Sequence, residues 1–474
     1  MRNFTFKGLF LTAVFILLGC LSIQAADDDL ITKQITIKLD KAGTLPDRIT
    51  SSKKYKITNL KIIGEINGTD FRMIREMAGS DYYGGSTEGN LSVLDLSEAK
   101  IVIGGGDCFN GYSCYTSNDV IGNRAFSGCS RLTSLTLPAS ITRIGDDAFC
   151  CCSGLTSLTL PAGITEIGYG AFWGCSGLTS LNLPAGITSI GDDAFYGCSG
   201  LTSITLPAGI TEIGGSAFNG CSRLTSLTLP AGITSIGGGA FYGCSGLTSL
   251  NLPAGITEIG GGAFGFCSGL TSINLPAGIT SIGEYAFYGC SGLTSVTLPA
   301  GITEIGECAF YGCSGLTSVT LPAGLTQIDD YAFSECSGLT SIYVYAEKVP
   351  KIGEDVFTGC DAKKCTVYVP KGTYDDYWLS DFRNYFENIV EFDATGIDKT
   401  TTSTDVKEVS RYSVNGQRLV GPTKGLNIVK YSDGSVKKVA VEIDGSQYLK
   451  SQYLRITNHR VTVRKKRISL SEYL

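Results

Sequence analysis

Cysteine is the residue whose spacing most strongly suggests chemistry in this chain of 474 residues, which contains 18 of them. A disulfide framework is one use for so many thiols. Ten of them, however, recur with a period of 23 residues. In-register Cβ atoms of stacked repeats lie ~4.8 Å apart, beyond the ~3.5 to 4.5 Å that a disulfide needs. We therefore predict buried free thiols that pack as small hydrophobic residues. The ten positions are Cys129, Cys152, Cys175, Cys198, Cys221, Cys244, Cys267, Cys290, Cys313 and Cys336.

Cysteines outside this period offer two candidate disulfides. Cys108 with Cys114 and Cys360 with Cys365 would each close a short loop. Three adjacent cysteines, 150–152, lack the C-x-x-C spacing that a tetrahedral zinc site uses. The sequence thus predicts no structural zinc, and it leaves open which of the remaining cysteines pair.

Histidine is nearly absent, since His459 is the only one in the chain. This excludes most Cys/His sites, Ser/His/Asp triads and histidine-based metal sites. Paired aspartates suggest calcium, but they lie two or more repeats apart and lack the dense D-x-D-x-D-G pattern of a calcium loop. We expect no metal, no cofactor and no enzymatic activity. The aspartate pairs are Asp146-Asp147, Asp192-Asp193 and Asp329-Asp330.

The regular repeats, residues 132–338, are acidic, with thirteen Asp and Glu against two Arg and no Lys. They would repel a phosphate backbone, which excludes nucleic-acid binding there. Glutamates alternate with serines in successive repeats, so like charges sit ~10 Å apart and salt screens most of their repulsion. The stripe fits either a solvated surface or an acidic surface that binds a partner. Its members are Glu166, Glu212, Glu258 and Glu304, alternating with Ser189, Ser235 and Ser281.

Aromatic residues follow the periodic phenylalanine in five repeats and are the candidate ligand contacts. If the phenylalanine points inward its neighbour points outward, and exposed rings on a rigid scaffold suit contacts with a protein or a glycan. The alternative is that the rings lie flat over the turn and cover apolar surface. A regular Ser, Thr and Asn face on the strands is a second candidate surface. The aromatic positions are Trp173, Tyr196, Tyr242, Tyr288 and Tyr311, interrupted by Asn219 and Gly265.

A 23-residue repeat must position all of these side chains. One copy is Leu155–Gly177, LTSLTLPAGITEIGYGAFWGCSG, and ten copies follow one another without slippage. The pattern L-x-x-L-x-L predicts a short strand with leucines inward and hydroxyls outward. A Pro-Ala-Gly turn, a second side with two isoleucines and a third side with Ala, Phe and Cys follow. One repeat cannot shield its apolar residues alone, so we predict a mainly β solenoid of stacked repeats.

The consensus L-x-x-L-x-L-P-x-x-I-x-x-I-G-x-x-A-F-x-x-C resembles the BspA-type leucine-rich repeat of bacterial surface proteins, which is common in the Bacteroidetes. Segments 57–77 and 89–102 resemble the divergent N-terminal repeats of that family, and 339–360 with 365–392 resemble its C-terminal cap. Caps are expected because exposed solenoid ends would otherwise aggregate. The resemblance implies a leucine-rich-repeat solenoid capped at both ends.

The N-terminus has the features of an export signal. Arg2 and Lys7 precede an apolar run at 9–18 and small residues near position 25, which predicts a secretory signal peptide. The sequence LLGC at 17–20 resembles a lipobox and makes Cys20 a candidate lipidation site. Soluble cleavage and lipidation both remain open.

The C-terminal part of the chain carries a different resemblance. Residues 411–441 are similar to the small β domain that serves as a sorting signal for type IX secretion, with hairpin turns at Asn415-Gly416 and Asp433-Gly434. A further 33 residues follow, with seven Lys or Arg against three Asp or Glu. The predicted organisation is a signal peptide at 1–26, an N-terminal cap and divergent repeats at 27–131, regular repeats at 132–338, a C-terminal cap at 339–393, a linker at 394–408, a small β domain at 409–441 and a basic tail at 442–474.

Two hypotheses for function follow. The resemblance implies an exported, adhesin-like protein at the cell surface or outer membrane that attaches to host or bacterial proteins, glycans or other cells. Its contact with a membrane would be a lipid anchor or surface attachment, since no internal segment is apolar and long enough to span a bilayer. The alternative is a structural spacer, because near-identical repeats give length without a tailored site.

Overall fold

The computed structural model describes residues 30–110 and 115–394, together with the backbone of six strands between residues 408 and 469. The chain divides into two units, with the boundary between Ala394 and Thr395. The predicted signal peptide at 1–26, the candidate lipidation site Cys20 and most of the predicted linker at 394–408 lie outside the described residues. Within the described part, no helix is long and apolar enough to cross a membrane.

The first unit is a solenoid of parallel strands, which confirms the predicted fold class. Its first side carries two seven-stranded parallel sheets. In the regular repeats, buried aliphatic residues alternate with exposed polar residues, as Leu158 between Ser157 and Thr159 shows. The first sheet contains Ile35–Leu39, Asn59–Ile66, Val93–Ile101, Ser134–Thr136, Ser157–Thr159, Ser180–Asn182 and Ser203–Thr205; the second contains Ser249–Asn251, Ser272–Asn274, Ser295–Thr297, Ser318–Leu321, Ser341–Val344, Thr366–Pro370 and Asn388–Phe392.

The second side consists of two-residue strands that also pair in parallel. Each strand ends on an isoleucine that faces the core. A turn that contains a residue in the left-handed backbone conformation leads from the second side to the third side, which forms no strand. The strands of the second side are Val120–Ile121, Arg143–Ile144, Glu166–Ile167, Ser189–Ile190, Glu212–Ile213, Ser235–Ile236, Glu258–Ile259, Ser281–Ile282, Glu304–Ile305, Gln327–Ile328 and Lys351–Ile352.

The third side contains a continuous stack of phenylalanine rings. Eleven rings, one for each repeat from Phe126 to Phe357, lie nearly parallel with centroids 5.1 to 5.6 Å apart. Each is almost wholly buried. Because every ring contacts the rings above and below, the stack holds the repeats in register and fixes the direction of the residues that flank it.

The periodic cysteines pack beside this stack as buried free thiols, which confirms the prediction. Nine of the ten donate a hydrogen bond from Sγ to the carbonyl oxygen of the phenylalanine 26 residues earlier; Cys244 Sγ, for example, lies 3.2 Å from Phe218 O. Burial raises the pKa of Cys244 to about 12. The Cys244 thiol therefore stays protonated and inert, since the thiolate is the reactive form.

The non-periodic cysteines correct one prediction. Cys360 and Cys365 are both free, so the disulfide predicted between them is wrong. Cys360 instead donates to Phe333 O at 3.4 Å, as a cysteine of the periodic series does, and Cys365 is buried in the next layer. Cys108 is disulfide-bonded, while its predicted partner Cys114 lies outside the described residues.

Both ends of the solenoid carry short helices. At the N-terminal end, the helix Gly68–Met77 begins at a capping box in which Asn67 accepts from Thr69 N and Asp70 accepts from Asn67 N. Such caps cover apolar surface that an open repeat would expose. The other helices are Leu45–Arg48, Ser51–Lys54, Tyr374–Trp378 and Phe382–Tyr385.

The second unit contains a six-stranded antiparallel sheet. The strands on either side of Asn415-Gly416 and of Asp433-Gly434 pair as hairpins, although both dipeptides lie outside the described residues. The sheet extends past residue 441 into the segment predicted as a basic tail. Its strands, in spatial order, are Arg418–Leu419, Glu408–Ser413, Gly425–Tyr431, Val436–Ile443, Tyr448–Thr457 and Arg460–Ser469.

Removal of one interior repeat should leave a shorter folded solenoid. Deletion of 270–292 would place Ser249–Asn251 against Ser295–Thr297, a pairing with the register that both strands already use. Because each repeat contacts mainly its neighbours, stability should fall only modestly. Circular dichroism and thermal melting measure this. Loss of cooperative unfolding would contradict the modular architecture.

Candidate ligand-binding surface

The residues that follow the buried phenylalanines point away from the core. Trp173 is 37% exposed, and the four tyrosines at the equivalent positions, Tyr196, Tyr242, Tyr288 and Tyr311, are half-buried. Each ring therefore offers one surface to solvent while another covers the turn. The structure thus combines the two alternatives that the sequence left open.

Neighbouring rings contact one another along this surface. The centroids of Trp173 and Tyr196 lie 5.1 Å apart, and those of Tyr288 and Tyr311 lie 5.0 Å apart with their planes within 7°. Asn219 separates these two groups, as the sequence predicts. We call Trp173 and Tyr196 the aromatic pair.

Phe266 is the ring that sequence reasoning missed. Its repeat reads Phe264-Gly265-Phe266 where others read Phe-Tyr-Gly, so the aromatic residue has moved by one position. Phe266 is 44% exposed and contacts Tyr242 at 5.3 Å and Tyr288 at 5.1 Å. The exchanged order of the two residues was the signal in the sequence.

The Tyr242 ring occupies the space beside Gly265. A Cβ at Gly265 would lie 2.6 Å from this ring in its present position. Phe266 in turn occupies a left-handed backbone position with φ of 55°, where the neighbouring repeats have glycine. A phenylalanine there is strained, which costs on the order of 1 kcal/mol. The result is a continuous surface across four repeats.

Tyr285 widens this surface on one side. It is 39% exposed and its ring lies 5.7 Å from that of Tyr288. Its hydroxyl donates to Glu307 Oε1 at 2.9 Å, and this hydrogen bond raises the pKa of Tyr285 to about 12. The phenol therefore remains a neutral polar group at the edge of the rings. We call Tyr242, Phe266, Tyr285, Tyr288 and Tyr311 the aromatic row.

The paired aspartates have a structural role within the turns. Asp146, Asp192 and Asp330 each accept a hydrogen bond from a backbone N–H of the next repeat, at 3.0, 2.6 and 2.7 Å. Asp147 is mostly buried and pairs with Arg124 at 3.0 Å. In the described chain, no three His, Cys, Asp or Glu side chains come together in a group that suits a metal ion. These carboxylates fasten one repeat to the next.

The acidic stripe has the predicted register. Ser189, Glu212, Ser235 and Glu258 are paired in succession along the second side. Arg143 at one end forms an ion pair with Glu166 at 3.0 Å, and both side chains are largely exposed. Such surface pairs contribute little to stability, and the binding of a partner by the stripe stays a prediction.

The strand face is interrupted at the repeat that begins at Leu224. In the described chain, no backbone hydrogen bond joins residues 226–229 to either neighbouring repeat, and the two seven-stranded sheets end on either side. The threonine hydrogen bonds that run along this face, such as Thr202 Oγ1 to Thr179 O at 3.0 Å, resume only at Thr271. A groove of about 470 Å³ opens beside the interruption, between Ser203–Ala208 and Ser226–Gly232.

Arg223 opens the interrupted repeat. In eight other repeats a glycine precedes the first leucine, and a Cβ there would lie only 2.2 to 2.7 Å from a serine carbonyl oxygen of the preceding repeat. Arg223 has a Cβ at this position, which would meet Ser199 O at the spacing of the glycine-bearing repeats; Arg131 also has one, but it lies beside Gly79 and its strand is paired. A shift of a few tenths of an ångström is enough to lengthen or break backbone hydrogen bonds.

Arg223→Gly should therefore close the interruption and stabilise the protein. Each restored hydrogen bond contributes ~0.5 to 1.5 kcal/mol, while glycine adds ~0.4 to 1 kcal/mol of unfolded-state entropy. We expect a net gain of about 1 kcal/mol and slower amide exchange across residues 202–229. Arg131→Gly is the matched control, because its strand Ser134–Thr136 is already paired. Equal changes in both variants would contradict the role of Arg223.

Comparison with known proteins gives a family match and similar solved structures. The model of the BspA type leucine rich repeat region matches six copies, over residues 119–248, 173–276 and 263–374, which together span more than half of the chain. The chain is similar to a leucine-rich repeat protein from Bacteroides ovatus, with 26% identity and a TM-score of 0.49 over 73% of this chain and 86% of that one. It is also similar to a leucine rich cell surface protein from Faecalibacterium prausnitzii, with 25% identity and a TM-score of 0.41 over 77% of this chain and 91% of that one. No curated protein matches it. The chain therefore belongs to the BspA-type leucine-rich repeat family.

Proposed function

We propose that this protein is an adhesin-like binding protein that contacts extracellular proteins, glycans or other cells through the aromatic row and the aromatic pair. The observation that carries the proposal is the aromatic row, in which rings from four successive repeats form one partly exposed surface. Tyrosine and tryptophan are among the side chains most enriched at binding hot spots.

The scaffold beneath these rings suits binding. Tyr242, Tyr288 and Tyr311 each follow a fully buried phenylalanine of the stack. Their backbone is thus held before a partner arrives, and little conformational entropy remains to be lost on binding. Phe266 is kept in a strained conformation, a feature that clusters at functional sites.

The negative charge of the regular repeats limits the kinds of partner that the surface can bind. The regular repeats carry thirteen acidic against two basic side chains, so an acidic partner would be repelled. We favour a neutral glycan or a neutral to basic protein. A catalytic role is not part of the proposal, because the rings supply no acid, base or nucleophile.

Export to the cell surface belongs to the same proposal. The predicted signal peptide at 1–26 and the lipidation candidate Cys20 support it, as does the role that membership of the family implies. The sorting function of 409–441 and an origin in the Bacteroidetes are likewise proposed on resemblance alone. Mass spectrometry of the protein from the cell envelope would identify the mature N-terminus and any lipid on Cys20.

Binding of the purified protein to immobilised extracellular proteins and glycans tests the proposal. We expect at least one saturable interaction that persists at physiological salt, because burial of aromatic rings is screened little by ions. Binding that vanishes between 50 and 200 mM salt would instead point to the acidic stripe. No binding across a broad panel would favour the spacer hypothesis, which the near-identity of the repeats supports.

A further inference from the structure

Two adjacent thiols lie outside the buried series. Cys150 Sγ and Cys151 Sγ are 3.5 Å apart. Cys151 is exposed and Cys150 is half-buried, whereas the next residue, Cys152, is buried and donates to Phe126 O. Among the described free cysteines, Cys151 is the one that solvent reaches most readily.

The position of the pair in the repeat is equally unusual. Cys150 follows the buried Phe149, so it occupies the place that Trp173 holds in the next repeat. Cys151 takes the place of a glycine and has a left-handed backbone with φ of 58°. Its N–H donates to the Trp173 carbonyl oxygen at 2.6 Å. The dithiol therefore lies at the end of the aromatic pair.

We propose that Cys150 and Cys151 form a reversible disulfide with each other, which makes this pair a thiol-redox modification site. The oxidant is a small-molecule disulfide, RSSR. The Cys151 thiolate attacks one of its sulfurs and expels RS⁻, which takes up a proton to become RSH. The Cys150 thiolate then attacks Cys151 Sγ in the mixed disulfide and expels the second RS⁻. Two protein thiols lose two electrons and two protons, and RSSR becomes two RSH.

The order of these steps follows from exposure. Cys151 reacts first because an external disulfide can reach it. Burial, together with the hydrogen bond to Cys151, raises the pKa of the Cys150 thiol to about 12. Cys150 is therefore a poor nucleophile toward an external oxidant, but a sulfur only 3.5 Å away is within its reach.

Reversibility follows from covalent geometry. Consecutive Cα atoms are ~3.8 Å apart across a trans peptide, whereas disulfides prefer a Cα separation of ~4.4 to 6.8 Å. A bond between neighbours is therefore strained, and strained, exposed disulfides are the ones that thiols reduce easily. The site would respond to its redox surroundings while the buried series stays reduced.

The test is equilibration of the reduced full-length protein with oxidised and reduced glutathione at several ratios, followed by acid quenching, alkylation and mass spectrometry. We expect the peptide that contains residues 150–152 to lose two hydrogen atoms and to carry one alkyl group, on Cys152, after denaturation. Excess reduced glutathione should restore three alkylated cysteines. The periodic cysteines should be alkylated throughout.

Two variants serve as controls. They are expected to fold, because each introduces a residue that other repeats already have at the same position. Cys151→Gly restores the residue of the neighbouring repeats, and Cys150→Ser copies Ser127 and Ser334 at the equivalent position. Cys151→Gly should show no change with glutathione, whereas Cys150→Ser should retain glutathione on Cys151. Glutathione retained on Cys151 of the wild type, a disulfide-linked dimer, or free thiols at 150 and 151 under every condition would each overturn the proposal.

Discussion

Phe241→Ala is expected to lower the free energy of unfolding by about 3 to 5 kcal/mol, the usual cost of truncating a fully buried aromatic ring. Phe241 has no exposed surface and stacks on Phe218 and Phe264 at 5.5 Å on both sides. Alanine would leave a cavity and break the stack into two segments. The neighbouring rings cannot close the gap, because the second-side strand of this repeat, Ser235–Ile236, is paired with both neighbours and fixes their spacing.

Tyr242→Ala is the matched control, since it removes an aromatic ring from the next residue of the same repeat. Tyr242 is half-buried, and its removal should cost about 1 kcal/mol or less. Urea denaturation followed by circular dichroism measures both variants. Similar losses at the two positions would show that the stack of phenylalanines does not carry the stability of the solenoid.

A fourfold substitution in the aromatic row should abolish binding while leaving the fold intact. The variant combines Tyr242→Ser, Tyr288→Ser and Tyr311→Ser with Phe266→Gly. Each change introduces a residue that another repeat already has at that position, as Ser334 and Gly289 show. Hot-spot rings contribute ~2 kcal/mol or more each, so affinity should fall by more than about 100-fold.

The acidic stripe offers a control of similar size. Glu212→Ser, Glu258→Ser and Glu304→Ser copy the serines of the alternate repeats. Surface plasmon resonance against the strongest binder from the panel compares both variants with the wild type, and thermal melting checks folding. Undiminished affinity in the aromatic variant would move the site to the strand face; a loss in the stripe variant alone would assign binding to the acidic surface.

Much of the architecture was determined by the sequence itself, because a strict period makes every position meet its own copy in the next repeat. Three features follow from this strict period, and the structure confirms each of them. They are the inward direction of Phe241, the free thiol of Cys244 and the register of the acidic stripe. The period therefore determines which residues form the core and which face solvent.

The structural consequences of residues that depart from the period are visible only in the tertiary structure. Phe266 restores a ring where Gly265 interrupts the row in the sequence, and the Tyr242 ring fills the space beside Gly265. The unpaired repeat begins at Arg223, where most other repeats have a glycine whose Cβ would meet a carbonyl oxygen of the preceding repeat.

Cysteine pairing likewise depended on the tertiary structure. Cys360 and Cys365 close a short loop in sequence, yet Cys360 joins the series that bonds to the phenylalanine carbonyls. The sequence places Cys150 and Cys151 beside the periodic Cys152, and the structure shows that their thiols lie together near solvent. A period in the sequence specifies which positions are neighbours, but only the packed structure determines how closely they approach.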